Sequence, residues 1–331
     1  MHCELVVPGL LAARNTARLP GVELLMARGR CSRGARESLE AWLQDAFDLA
    51  EEPLAAGALT LLGAGGEPAG HRWSRADPVH LRLLRDRMVL IPASALRVTP
   101  DEARTLAAAL NTHFAERLPL EVADAERWVA RVAAELELGD QSPLALAGRD
   151  VADALPADAG SVAHRLLNEA QMVLHEHAVN EAREARGELP INSIWLWGAG
   201  RVPQNTSAPW HSVSAADPLA LGFARAAGIR HRALAPSAAA WLDRAPEDGR
   251  HLIVLDALRA PLALGEAAEH EQALAALERD WFAPLLSALR EGRIGMVTIH
   301  VPDAAECVAY ETIRTDLRRF WRRPRALEHY A

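Results

Sequence analysis

Apolar residues fall along the chain in short runs closed by glycine or proline, the pattern of buried strands. Six runs predict strands: ELVVPG (4–9), ALTLLG (58–63), RMVLIP (87–92), SIWLWG (193–198), HLIVLD (251–256) and GMVTIHV (295–301). Helical spacing lies between several of them. Residues 38–49 keep apolar side chains three and four apart. Thr99, Pro100 and Glu102 supply an N-cap, a first-turn proline and a capping-box partner, which predicts a helix start. Residues 161–186 predict a long helix or helix pair, and residues 267–290 another. Nearly continuous apolar strands alternating with helices indicate an α/β fold whose mostly parallel sheet is flanked by helices.

Residues 63–70 (GAGGEPAG) read as a flexible connection, and residues 73–150 as more helical and irregular than their surroundings. The expected division is residues 1–65 for the first part of the α/β core, 66–160 for a smaller inserted or packed substrate-type subdomain, and 161–331 for the long helix and the rest of the core.

With 331 residues, half of them hydrophobic, the chain can bury one large or two medium cores. A net charge of -8 argues against a general nucleic-acid binder. All 36 basic residues are arginines, which excludes a Schiff-base lysine and a P-loop lysine. Cys3, Cys31 and Cys307 make neither a disulfide framework nor a zinc ribbon. No 18-residue uncharged apolar run occurs, and MHCELVVPGLL lacks a basic leader and a cleavage site. A cytoplasmic protein is the expectation.

Candidate chemistry centres on the helical stretch from 161. His164, Asn168, Gln171 and His175 line one face, and His177, Asn180 and Arg183 follow at three-residue steps. Two readings stand side by side: buried side chains that bond neighbouring loops, or a wall that grips a phosphate or carboxylate through arginine. His175 and His177 are two apart, so zinc is not expected there. Arg75, Asp77 and His80 form a second cluster, with Asp77-Pro78 read as a turn. Asp256 closes one predicted strand and Asp303 follows His300 at the end of another, the strand ends where parallel sheets collect ligands. Capping of a turn explains either aspartate equally. Gly198-Ala199-Gly200 follows a strand but lacks the GxGxxG pattern. Near the C-terminus, arginines 314, 318, 319, 322, 323 and 325 surround Phe320 and Trp321. The segment reads as a solvated helix with the aromatics packed inward, or as a contact for RNA, an acidic protein surface or a second copy of the chain.

Three motifs taken in order carry a resemblance: RADPVHL (75–81), TPDEARTLAAALN (99–111) and LLNEAQMVLHEHAVNEAREARGELPINSIWLWGAG (166–200). They resemble the cofactor-independent phosphoglycerate mutases of the archaeal type, and a bacterial branch of uncharacterised or regulatory proteins related to them. The most specific part is His177, Asn180 and Arg183 followed by Asn192 and Gly198-x-Gly200. The resemblance implies an alkaline-phosphatase-like core, an inserted domain, two divalent metals of the manganese or zinc class, and a serine or threonine nucleophile. Against that pattern, the first strand ends in Pro8 and Gly9 where the enzymes carry an aspartate, and Trp197 stands where they carry an arginine. The only nucleophile candidate is Thr16, and the nearest metal candidates are Asp256, His300 and Asp303.

The expectation is therefore a catalytically degenerate binder or regulator of a small phosphorylated or carboxylated metabolite. Arg75, Asp77, His80, His175, His177, Asn180, Arg183 and Asn192 would line its site, with no cofactor. The alternatives are an active mutase or phosphatase with an altered manganese or zinc site, and a protein-interaction scaffold.

Overall fold

The computed structural model describes residues 1–331 except 12–17, 35–37, 86, 152–153, 155–160, 245–247, 303–306 and 331. In chain order the strands among the described residues are β1 (His2–Val6), β2 (Arg30–Gly34), β3 (Trp73–Leu84), β4 (Arg87–Pro92), β5 (Leu120–Val122), β6 (Trp128–Arg131), β7 (Ser193–Gly200), β8 (Ser212–Ala215), β9 (Arg230–Ala233), β10 (Arg250–Val254), β11 (Met296–Val301) and β12 (Cys307–Ile313). The chain divides into two compact units, Met1–Ala50 with Asn205–Ala331, and Glu51–Gln204.

The first unit holds a seven-stranded sheet of order β2-β12-β11-β1-β10-β8-β9. The five strands from β11 to β9 run parallel, and β12 and β2 join antiparallel at one edge. Alternation along β1 explains its two faces. Cys3, Leu5 and Val7 join a core with Leu25, Phe282, Leu285 and Leu289 from the covering helices. Full burial of each large apolar side chain there contributes about 1.5–3 kcal/mol. His2 and Glu4 point to the opposite face. The helix Pro20–Arg28 has no side-chain cap of its own. Glu278 supplies one, accepting bonds from the N–H groups of Gly21 (2.6 Å) and Val22 (3.1 Å). That glutamate opens the π-turn Glu278–Phe282, which links helix Ala267–Leu277 to helix Ala283–Glu291.

The second unit is built on an antiparallel sheet of order β4-β3-β6-β5, with β7 also pairing with β3. Its core joins helix Pro100–Phe114 to helix Val162–His175, through Leu106, Leu110 and Phe114 on one side and Leu166, Ala170 and Leu174 on the other. Thr99 closes the expected capping box with Glu102, worth about 1 kcal/mol.

Four expectations change. Residues 73–150 are not mainly helical, since they contain β3 to β6. The unit boundaries fall after 50 and 204 rather than 65 and 160, because β7 pairs with β3 and carries the 162–185 helices with it. Residues 58–63, expected as a strand, belong to helix Ala56–Gly63. Gly57 explains that choice: a Cβ there would sit 2.3 Å from the backbone of Ser74, so the helix presses directly on β3. Asp77-Pro78 is likewise no turn. Pro78 lies inside β3 between the β6 pairing, which ends at Arg75, and the β4 pairing, which starts at Val79. A missing N–H is cheapest at such a change of partner. Among the described residues, no helix is long and apolar enough to cross a membrane.

Candidate functional site

In the second unit, four of the expected site residues converge on one stretch of backbone, 189–192. The Asn180 side chain donates to Leu174 O and Ile191 O and accepts from Ile191 N, each at 2.8 Å. Arg183, 1% exposed, donates to Leu189 O (2.8 Å), Leu96 O (2.6 Å) and Glu102 (2.9 Å). His80 Nδ1 lies 2.8 Å from Pro190 O. Asn192 makes a two-way pair with the Leu81 backbone at 2.8 and 2.9 Å. These side chains clamp the turn that follows helix Ala178–Ala185 onto β3. Burial lowers the His80 pKa, which favours the neutral ring.

Arg75 and Asp77 form a separate group around Trp197. Arg75 donates twice to Asp77 Oδ1 (2.9 and 2.7 Å), and Trp197 Nε1 donates to Asp77 Oδ2 at 2.8 Å. The Arg75 guanidinium also stands 5.3 Å from the centre of the Trp197 ring. Burial pushes the Asp77 carboxyl up, against the opposing pull of Arg75 and Trp197. His177 caps helix Ala178–Ala185, accepting from Val179 N at 3.2 Å. His175 and Asn168 are exposed, and His164 and Gln171 are half-buried. Gly198 and Gly200 serve packing: Gly198 has φ +57°, and a Cβ there would lie 2.5 Å from Ala56 Cβ.

The first unit offers a different arrangement at the carboxyl ends of its parallel strands, where ligands of such sheets gather. After β8, Asp217 caps helix Pro218–Ala226 by accepting from Leu219 N at 2.8 Å. After β10 comes Asp256, whose carbonyl accepts from Arg259 N at 3.0 Å. Arg259 Nη2 reaches Glu40 Oε1 at 2.5 Å, and the two side chains are 19% and 12% exposed. Burial works against the Arg259 charge, yet Glu40, Asp217 and Asp256 together hold its pKa above the usual value. Burial raises the Glu40 carboxyl in turn, and the guanidinium outweighs it to leave the pKa lowered. A half-buried cation is thus paired with Glu40, and the charges of Asp217 and Asp256 act on it as well.

The sheet face opposite Cys3, Leu5 and Val7 carries a second polar group. Glu4, 3% exposed, accepts from Arg250 Nε at 2.7 Å and lies 3.5 Å from His300 Nε2 and 3.4 Å from His2 Nδ1. His300 also packs on Trp42, ring centres 5.0 Å apart. Of the metal candidates, then, Asp256 stands beside Arg259, and His300 faces Glu4. Asp303 and the nucleophile candidate Thr16 lie outside the described residues. Among the described residues, no group of three or more His, Cys, Asp or Glu side chains could hold a metal ion. The described residues therefore bring together no donor set of the kind a two-metal centre needs, whose ligands must converge.

Glu4, Glu40 and Arg259 were not expected as site residues. Glu4 had a signal, a carboxylate inside an otherwise apolar strand. Glu40 and Arg259 had none, since each looks like an ordinary helix-surface charge.

No protein-family model matches the chain. A probable 2,3-bisphosphoglycerate-independent phosphoglycerate mutase of Geobacter sulfurreducens is 36% identical over 66 residues, 20% of this chain and 16% of that protein. The corresponding mutase 2 of Methanothermobacter thermautotrophicus is 29% identical over 201 residues, 51% of this chain. The match spans about half, 49%, of that enzyme's own length. Among solved structures, the PH0037 protein of Pyrococcus horikoshii superposes with a TM-score of 0.59 at 15% identity, covering 94% of this chain and 87% of that one. That likeness speaks to the fold. The expected α/β architecture, a mixed sheet with parallel strands flanked by helices beside a separate antiparallel sheet, is what the chain adopts. By sequence, the chain is similar over part of its length to the 2,3-bisphosphoglycerate-independent phosphoglycerate mutases.

Proposed function

We propose that this relative of the phosphoglycerate mutases is a binder or regulator of a small phosphorylated or carboxylated metabolite, in which two-metal phosphoryl transfer has been given up. One observation carries the reading: Arg259 is half-buried and paired with Glu40, with Asp217 and Asp256 acting on its charge, at the strand ends where the mutase chemistry needs metal ions. A guanidinium balances carboxylate charge, but it has no coordination position with which to activate a hydroxyl. We assign Asn180, Arg183, His80 and Asn192 to bracing the 189–192 turn, because their bonds run to the chain itself. The test is a mutase assay on 3-phosphoglycerate with added manganese, alongside calorimetry with the same compound. Saturable binding without turnover supports the reading; manganese-dependent turnover overturns it.

A second reading, an active enzyme with an altered metal site at Asp256, His300 and Asp303, draws on one feature. His300 Nε2 is buried with no hydrogen-bond partner, and an orphaned imidazole nitrogen is a ready metal ligand. The same assay decides between the two.

A further inference from the structure

At the sheet edge of the first unit, all five residues of β2 are exposed. Beside it, helix Pro20–Arg28 ends and the C-terminal segment returns. Between them lies an open basin of about 590 Å³ lined by Arg30, Arg33, Arg319, Arg322, His329 and Tyr330. Four arginines line this one hollow in a chain whose net charge is -8, so the concentration of basic residues is local and runs against the whole.

The wall is fixed rather than loose. Arg319 Nη1 donates to Arg28 O (3.2 Å), and Arg322 Nη1 to Gly29 O (2.8 Å). Each guanidinium thus spends an N–H on a carbonyl at the end of the helix, which sets its orientation and suits the negative helix terminus. The C-terminal end is tied down by the Tyr330 hydroxyl, which donates to Glu23 O (3.3 Å) and accepts from Arg325 N (3.1 Å). Asp316 neutralises Arg319 at 2.7 Å. Among the described residues, neither Arg30 nor Arg322 is ion-paired. Phe320 and Trp321, expected to pack inward, are 77% and 67% exposed.

We propose that this basin binds a small anion carrying two linked phosphate groups. Arginine forks grip phosphate oxygens bidentately, and several placed around one hollow favour a ligand with more than one such group. The volume suits a small molecule. The proposal stands apart from the reading of Arg259, because the two rest on different residues and fail separately.

Calorimetry of the full chain with inorganic pyrophosphate tests it, with a nucleoside diphosphate as a second titrant. One-to-one saturable binding is expected, weakened about tenfold or more in the double variant Arg30→Ala/Arg322→Ala and unchanged in Arg290→Ala. Tighter binding of the nucleoside diphosphate would identify the diphosphate as part of a nucleotide, and equal or weaker binding as a free group. Cys31 lines the same basin and is exposed, so pyrophosphate should also slow its alkylation by iodoacetamide in the unmutated protein. Absence of saturable binding by both titrants, or unaltered affinity in the double variant, overturns the proposal. So does alkylation of Cys31 at an unchanged rate under saturating pyrophosphate.

Discussion

Arg259 Nη2 and Glu40 Oε1 are 2.5 Å apart, in a pair that joins a helix following β10 to a helix near the start of the chain. Taking two charges out of water is costly, and their mutual attraction offsets that cost only while both partners are present. Asp217 and Asp256 add to the field that keeps Arg259 charged. On the proposed reading, this pair lets the protein's own cation balance carboxylate charge at the strand ends.

Removing that cation should therefore be expensive. Arg259→Ala is expected to destabilise the chain by about 3–5 kcal/mol, read as the midpoint of urea unfolding. If the guanidinium stands in for a metal ion, millimolar manganese should recover part of the lost melting temperature in this variant and leave the unmutated protein unchanged. Equal manganese effects on both would count against that role.

Glu4 predicts an acid-sensitive stability. Burial pushes its carboxyl up, but the His300 ring 3.5 Å away and the hydrogen bond from Arg250 outweigh burial and hold the pKa down at about 2. A carboxyl depressed in the folded state contributes stability that is complete above its unfolded pKa and is lost as pH falls towards the folded one. Urea midpoints should thus drop through the range from the ordinary glutamate value down to about 2. Glu4→Gln should lower the midpoint at neutral pH and flatten this acid slope. An identical slope in the variant would show that other groups carry it.

The clamp on the 189–192 turn is equally measurable. Arg183→Ala leaves Glu102 without its buried partner and opens two carbonyl bonds, for an expected loss of about 3–5 kcal/mol. Arg183→Lys should recover little, because one ammonium cannot reproduce a fork with three partners. If Arg183→Lys melted with the unmutated protein, the fork geometry would be irrelevant.

Trp197→Phe removes the indole donor from Asp77 while keeping the ring. One buried carboxylate oxygen then loses its partner, at an expected cost of about 1–3 kcal/mol in thermal unfolding. A variant as stable as the parent would mean that Arg75 satisfies Asp77 alone.

Much of the fold could be read from the chain because its signals are local. ELVV, SIWLWG, HLIV and MVTIHV alternate or run apolar over the length of a strand, and Thr99 with Glu102 writes a helix start into four residues. ALTLLG misled because a short apolar run does not distinguish a buried strand from a buried helix; Gly57, pressed against Ser74, was the unused clue. The unit boundary was hidden in the β3–β7 pairing, which no local pattern reports. The site divides the same way. Asn180, Arg183 and Asn192 stood out as unusual polar choices, but only geometry shows that they bond to backbone carbonyls and amides. Arg259 and Glu40 are far apart in sequence, and their meeting depends on the sheet that brings their helices together.

The most direct test of the central claim combines elemental analysis of the protein, purified after incubation with manganese and zinc, with a mutase assay on 3-phosphoglycerate. A strand-end region balanced by Arg259 predicts less than stoichiometric metal and no turnover. Two tightly held metal ions per chain with manganese-dependent conversion to 2-phosphoglycerate would contradict it.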